Sequence, residues 1–428
     1  MQRLLLAGCR LLAARACNAR LCALDPAANN PQPASSKLLR LVALALLLAA
    51  CSREPQRTLP HDAYIWQRQW TPAVTQAVAA QAPQFAGWRV LALQVVGERV
   101  IEVAPDLAAL NATQLPARAV VRIEGVRAPL PVAQLWSHLG PLLERWSASG
   151  VRVAGIEIDH DCASAALADY AQWLRELRVA LPPAYALSIT ALPTWLESPE
   201  LEALLAAADA NVLQVHAVDR PQQGLFDDVR ARSWIDAWAA RTRRPFLVAL
   251  PAYGVRVDVD ATGAVRAVDA EGPMEHTGAA GFELRADPRA VAQLLAEVGA
   301  DPPQALTGWV WFRLPVSGDA RGWSARTLGA VIAGVPLQSN FVVLAKPTAT
   351  GASDLRLRND GNLDAATPIV ELPAHCRHGD ALGRYRLDYD GGTLRLTPAD
   401  ASWLAAGESM TLGWARCAQP LEAQWSVR

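Results

Sequence analysis

From about residue 62 the chain alternates short β-branched and aromatic runs with stretches whose apolar residues recur every three or four positions. The short runs are Tyr64–Trp70, Arg89–Val96, Ala119–Glu124, Val153–Asp159, Ala186–Ala191, Val212–His216, Phe246–Leu250 and Gly308–Arg313. Each has the length and composition of a strand. After the fourth run, Leu167, Tyr170, Leu174, Leu177 and Leu181 form one apolar stripe at helical spacing. Ser198-Pro199 and Asp287-Pro288 set a capping side chain before a proline at the first helical position, and Gly150 closes the helix before the fourth strand. Strands alternating with helices in this way predict a parallel sheet closed into a (β/α)8 barrel over residues 62–336. No glycine-rich turn follows the first strand, which argues against a dinucleotide site.

The pattern departs from this alternation twice. Val255–Val268 reads as a hairpin around Asp260-Ala261-Thr262-Gly263, and Gly272–Gly281 continues as a loop. The insertion leaves the C-terminal end of strand seven, so it is either a wall of a pocket or a surface hairpin. After Gly334-Val335-Pro336 only short strands remain, split by Asn359-Asp360-Gly361-Asn362, Asp390-Gly391-Gly392 and Ala406-Gly407. Residues 337–428 therefore predict a small β-sandwich, suited to packing or accessory binding.

Composition adds a core and an address. Hydrophobic residues make up 52% of the 428 positions, ample for a large core, and a net charge of -1 gives no basis for a nucleic-acid partner. Lys37 and Arg40 precede the apolar run Leu41–Ala50, which is too short to span a bilayer comfortably and reads as a signal peptide. Its end, Leu48-Ala49-Ala50-Cys51, resembles the bacterial lipobox, which implies lipidation of Cys51, a leader over 1–51 and a tether over 52–61. The three dozen residues before Lys37 exceed an ordinary leader, which suggests that translation starts further downstream. Ser52 after the lipidated cysteine implies, by analogy, an outer-membrane anchor facing the periplasm. In such an oxidising compartment Cys376 and Cys417, both in the C-terminal domain, are placed to form a disulfide, and Cys162 reads as a small buried residue.

The densest chemistry is Gly155-Ile-Glu-Ile-Asp-His-Asp161. Strand side chains alternate, so Glu157, Asp159 and Asp161 share a face and His160 points away. Three like charges this close are costly unless they share protons, meet cations or bind a ligand. In a barrel they lie at the C-terminal rim, with Glu157 deepest. Paired acids suit glycoside hydrolysis: one donates a proton, the other supports developing positive charge. Repulsion from Asp159 should raise the pKa of Asp161 and leave it a proton, while Arg122 on strand three is a candidate to hold Glu157. Ser188 and Thr190 face inward and suit a core layer. No paired-histidine motif, calcium loop or Gly-x-Ser-x-Gly elbow points to a metal, a cofactor or a serine nucleophile.

The acidic strand resembles the Gly-x-Asp-x-Asp-x-Glu signature of family 18 glycoside hydrolases. The resemblance implies that Asp161 stands where the catalytic acid sits, Asp159 at the aspartate supporting a substrate acetamido group, and Glu157 at the inner aspartate. Asp and Glu are exchanged at the first and last places, which draws the outer carboxyl back by about 1–1.5 Å. Gly308-Trp-Val-Trp311 resembles the strand-eight segment whose tryptophan floors a sugar, which makes Trp311 the expected platform. Gln214 and His216 occupy the strand-six place of inward polar residues, and Trp66, Trp195 and Tyr253 could supply further walls. The chain also resembles the family catalogued as domain of unknown function 3142, in its leader, in Tyr64-Ile-Trp-Gln67, in Asp161-Cys162 and in its trailing β-domain. Together these imply an envelope-anchored lipoprotein that hydrolyses or binds an amino-sugar polysaccharide. The alternative is a non-catalytic carbohydrate-binding or scaffold lipoprotein.

Overall fold

The computed structural model describes residues 57–125, 129–216, 224–270, 281–400 and 402–427. They belong to one compact unit that begins at Arg57. Cys51 and the expected leader lie outside the described residues.

Eight parallel strands make the barrel: β1 (His61–Ile65), β2 (Gly87–Val96), β3 (Ala117–Glu124), β4 (Val153–His160), β5 (Ala186–Ala191), β6 (Ala210–Gln214), β7 (Phe246–Pro251) and β8 (Leu306–Phe312). Each pairs with its sequence neighbours, and β1 closes the ring by pairing with both β2 and β8. Helices such as Val132–Ala148, Leu167–Ala180, Asp228–Arg241 and Pro288–Ala300 cover the outside. The stripe at Leu167, Tyr170, Leu174, Leu177 and Leu181 is buried against the sheet as its spacing requires. The Asp287 carboxylate caps its helix at the Arg289 N–H, 2.9 Å away, with Pro288 in the first turn.

Two boundaries differ from the sequence pattern. β1 starts at His61 and ends at Ile65, so the polar run Gln67-Arg68-Gln69 leaves the sheet as a rim loop, and Trp66 sits just past the strand end. The chain joins the barrel before that: Leu59 is buried, and the Pro60 carbonyl accepts the Trp309 N–H at 2.9 Å. The short helix after β5 covers Leu201–Ala206 and starts later than Ser198-Pro199 suggests.

One glycine governs how β4 meets β5. Gly155 has φ +149°, and a Cβ there would lie 2.1 Å from the Ala186 carbonyl oxygen. Only glycine permits this approach, which pairs Glu157 with Ser188 across the two strands.

The insertion after β7 is a three-stranded antiparallel sheet, with Gly254–Val259 between Val265–Asp269 and Gly281–Arg285. The Asp260 turn is present, its carboxylate accepting from the Thr262 and Ala264 N–H groups. The third strand is an addition to the hairpin read from sequence; most of the loop expected over Gly272–Gly281 lies outside the described residues.

The C-terminal part is all β. A five-stranded antiparallel sheet includes Phe341–Pro347, Ser353–Asn359, Cys376–Ala381 and Ser409–Cys417, and a three-stranded sheet holds Val370–Glu371, Tyr385–Asp390 and Thr393–Pro398. One core joins them, with Val343, Leu355, Leu357 and Leu412 meeting Val370, Leu394 and Leu396. Cys376 and Cys417 stand opposite each other in the first sheet and form a disulfide.

Candidate functional site

The charged groups on the inner face of the barrel occupy two levels. At the lower level Glu157 is completely buried. Its carboxylate accepts from Tyr64 Oη, from Arg89 Nη1 and, at 2.9 Å, from Ser188 Oγ. Arg89, 2% exposed, also reaches Asp62 at 3.2 Å, so one buried guanidinium bridges two carboxylates. Both oxygens of the Glu157 carboxylate are thus engaged by neighbouring side chains. The cation on the deepest acid comes from β2 and not, as expected, from Arg122.

Arg122 works one level higher. It stands in register with Asp159 across β3 and β4, and its Nη1 lies 2.8 Å from Asp159 Oδ2 and 2.9 Å from Asp161 Oδ2. Asp159 is 4% exposed and also accepts from Thr190 Oγ1 at 2.7 Å. Burial is the main force on this carboxyl and pushes it up to about 6, with Asp161 adding to the rise and Arg122 opposing it. Asp161 is the first residue beyond β4, its side chain 38% exposed, and it draws a long 3.5 Å contact from Gln214 Nε2. Depth raises the Asp159 carboxyl more than like-charge repulsion does, an effect the sequence pattern did not single out.

An aromatic ring of residues borders the acids. His216 is buried, shares a 3.2 Å hydrogen bond with Tyr253 Oη through Nδ1, and lies 5.7 Å from the Phe312 ring in a stacked arrangement. Burial lowers its pKa to about 4, so the imidazole is neutral, and its Nε2 has no partner. Phe312 in turn touches Tyr64, Trp66 and Tyr253 with ring centroids 5.1 to 5.7 Å apart. Gln214, His216, Tyr253 and Trp66 therefore gather at the rim with Asp159 and Asp161.

Trp311 does not. Val310 and Phe312 point into the barrel, and Trp311 points out between sheet and helices, completely buried. Its Nε1 donates to His61 Nδ1 at 3.0 Å, and its ring packs against Trp323. It cannot floor a sugar; Phe312 is the strand-eight aromatic at the rim. Trp195 is likewise buried, donating to the Cys162 carbonyl at 3.0 Å. Cys162 is a buried thiol, pushed up to about 11, and His160 faces outward against Tyr170.

Residues 113–317, from just before β3 to just past β8, match the family model described as Domain of unknown function (DUF3142). This part of the barrel is similar to DUF3142. A second model described as a domain of unknown function, DUF8456, matches residues 342–418 of the sandwich. No curated protein matches the chain. Among solved structures, the spore cortex-lytic enzyme SleL of Bacillus cereus is similar over 61% of this chain and 72% of its own, at 12% identity and a TM-score of 0.47. A chitinase from Chromobacterium violaceum is similar over 65% of this chain and 98% of its own, at 15% identity and 0.45. A class V chitinase from Nicotiana tobaccum covers 60% and 94%, at 13% and 0.42.

The DUF3142 match contains both rim acids, Arg122, Gln214, His216, Tyr253 and Phe312, while Tyr64, Trp66 and Arg89 precede it. Four site residues escaped the sequence reading in their roles. Arg89 is the one charge in an apolar strand, a signal that it meets an inward acid. Ser188 and Thr190 were placed inward, and they hold Glu157 and Asp159. Phe312 lost its place to the tryptophan beside it.

Proposed function

We propose that this chain is an envelope-anchored lipoprotein whose barrel binds an amino-sugar-containing polysaccharide at the rim and hydrolyses it. The observation that carries the reading is the Arg122-bridged pair: Asp159 buried and protonatable near pH 6, Asp161 open to solvent beside it. In its protonated form Asp159 offers an O–H to a substrate amide, and Asp161 reaches outward toward a leaving oxygen. Gln214, His216 and Tyr253 supply polar groups, and Phe312 and Trp66 apolar faces for a pyranose ring. The test is release of reducing ends from chitooligosaccharides by the purified full-length chain. Wild type should release them, and Asp161→Asn should lower the rate by at least about 100-fold. Anchoring rests on Leu48-Ala49-Ala50-Cys51, and labelled palmitate should enter the wild-type chain but not Cys51→Ser.

A second reading, binding without turnover, is favoured by one specific contact. Arg122 hydrogen-bonds both carboxylates through a single nitrogen, a pairing that suits two anions more than a proton donor. Equal glycan binding by wild type and Asp161→Asn, with no product from either, would decide for it.

A further inference from the structure

On the far side of Trp66 lies a cleft of about 540 Å³. Its walls come from three parts of the chain: the loop after β1, with Trp66 and Arg68; the loop after β8, with Arg313 and Arg321; and Arg384 of the sandwich. The lining has four arginines and one acid, Asp319. Three of the four are already engaged. Arg313 reaches Asp319 at 2.7 Å and the Ala270 carbonyl at 3.0 Å, Arg321 reaches Glu283 at 3.0 Å, and Arg68 bonds Gln94 at 3.0 Å with Glu124 at 3.9 Å.

Two features nevertheless point to an anionic ligand. Arg313 is 5% exposed, and its Nη1 is buried with no hydrogen-bond partner, although Nε and Nη2 are both bonded. A guanidinium held by two of its nitrogens presents the third in a fixed direction, and a buried N–H left unpaired is costly. Arg384, exposed on the sandwich, has no ion-pair partner among the described residues and lines the same cleft. The cleft shares one residue, Trp66, with the aromatic group beside the acids. Trp66 lines it and packs on Tyr64 and Phe312, and Arg68 leads through Glu124 to Arg122, 3.7 Å from that carboxylate.

We infer that the cleft is a subsite for an anionic sugar residue, so that the polysaccharide is an acidic one in which charged units accompany amino sugars. This rests on the proposed glycan site and adds its charge class. Arg313 would hold the anion through Nη1, and Arg384 would close over it from the sandwich. The sandwich thereby becomes part of the ligand site.

The experiment compares oligosaccharides of equal length by calorimetric titration of the full chain: neutral chitooligosaccharides, hyaluronan oligomers (amino sugar alternating with uronate) and sulfated chondroitin oligomers. The expected result is at least 10-fold tighter binding of one or both acidic oligomers, weakening as salt rises. Carboxylate against sulfate preference distinguishes the anion. Arg384→Ala should shrink the acidic-to-neutral ratio about 10-fold, and because Arg384 is exposed this variant does not threaten the fold. Arg313→Gln should shrink it further. Equal affinity for neutral and acidic oligomers, or a ratio that survives Arg384→Ala, would overturn the subsite while leaving the amino-sugar reading intact. If no oligomer binds, thermal shift with free glucuronate and sulfate decides. A shift lost in Arg384→Ala keeps the anion cleft and removes the glycan reading, and no shift removes both.

Discussion

At the residue scale, the site separates two acids that the sequence presents as equals. Glu157 is saturated by Tyr64, Arg89 and Ser188, and its role is to tie β1, β2, β4 and β5 together inside the barrel. Asp159 has fewer partners for a nearly equal burial, and burial lifts it to about 6 from an ordinary 3.8. The groups facing it are Arg122 from β3, Thr190 from β5 and Asp161 beyond its own strand. Between about pH 4 and 6 the native state therefore holds a proton that the unfolded chain has released. The stabilisation it provides is complete below about pH 4 and is lost as pH rises through 6, with a slope no steeper than about 1.4 kcal/mol per pH unit. Urea unfolding at pH 4 and pH 6.5 should show this loss in wild type relative to Asp159→Asn. Parallel pH profiles for the two proteins would place the raised carboxyl elsewhere.

At the element scale, β4 and β8 show what alternation can and cannot tell. In β4 two acids, with Asp161 just past its end, mark one face, and a charged face in a barrel strand must turn toward polar partners, so the side of every residue was legible. β8 reads Leu-Thr-Gly-Trp-Val-Trp-Phe, apolar on both faces because the barrel interior and the helical layer are both dry. Period two then gives the grouping of side chains but not which group faces in. Trp311 was assigned inward by likeness, and its neighbour Phe312 holds that place. Arg89 was legible only in part, since a lone arginine in an apolar run announces a partner without saying which strand supplies it. Gly155 is the element-scale residue with the largest leverage. A side chain there would push on the Ala186 backbone and move Glu157 and Asp159 away from Ser188 and Thr190. Gly155→Ala should cost about 2–4 kcal/mol in denaturant unfolding and weaken glycan binding, although it touches no ligand. Unchanged stability would mean that β4 and β5 can part without cost.

At the scale of the whole molecule, the joint between barrel and sandwich decides whether the two act as one body. The joint is polar and buried. Asp364 of the sandwich, 4% exposed, accepts the Ser324 N–H of the barrel's last helix cap at 2.7 Å and the Ala406 N–H of its own domain at 2.8 Å. Its own N–H meets Thr327 Oγ1 at 2.9 Å, and Arg285 of the insertion lies over the Trp403 ring at 5.4 Å. A sandwich hinged freely on a linker could not hold Arg384 at a fixed place on the barrel's cleft, so this joint is a condition of the shared anion site. Asp364→Ala removes one carboxylate and leaves two N–H groups unpaired, one in each domain, that of Ala406 buried and costing about 1–3 kcal/mol and that of Ser324 part-buried and costing less. Wild type should unfold in a single calorimetric transition. The variant should split it into two, with the sandwich still held by Cys376–Cys417 and the barrel melting separately. The acidic-to-neutral binding ratio should fall in the same variant, because Arg384 would no longer be positioned. One unsplit transition at the wild-type temperature would show that the joint holds without Asp364, and the positioning of Arg384 would then have to come from the Arg285–Trp403 contact and the sandwich's other hydrogen bonds to the last barrel helix.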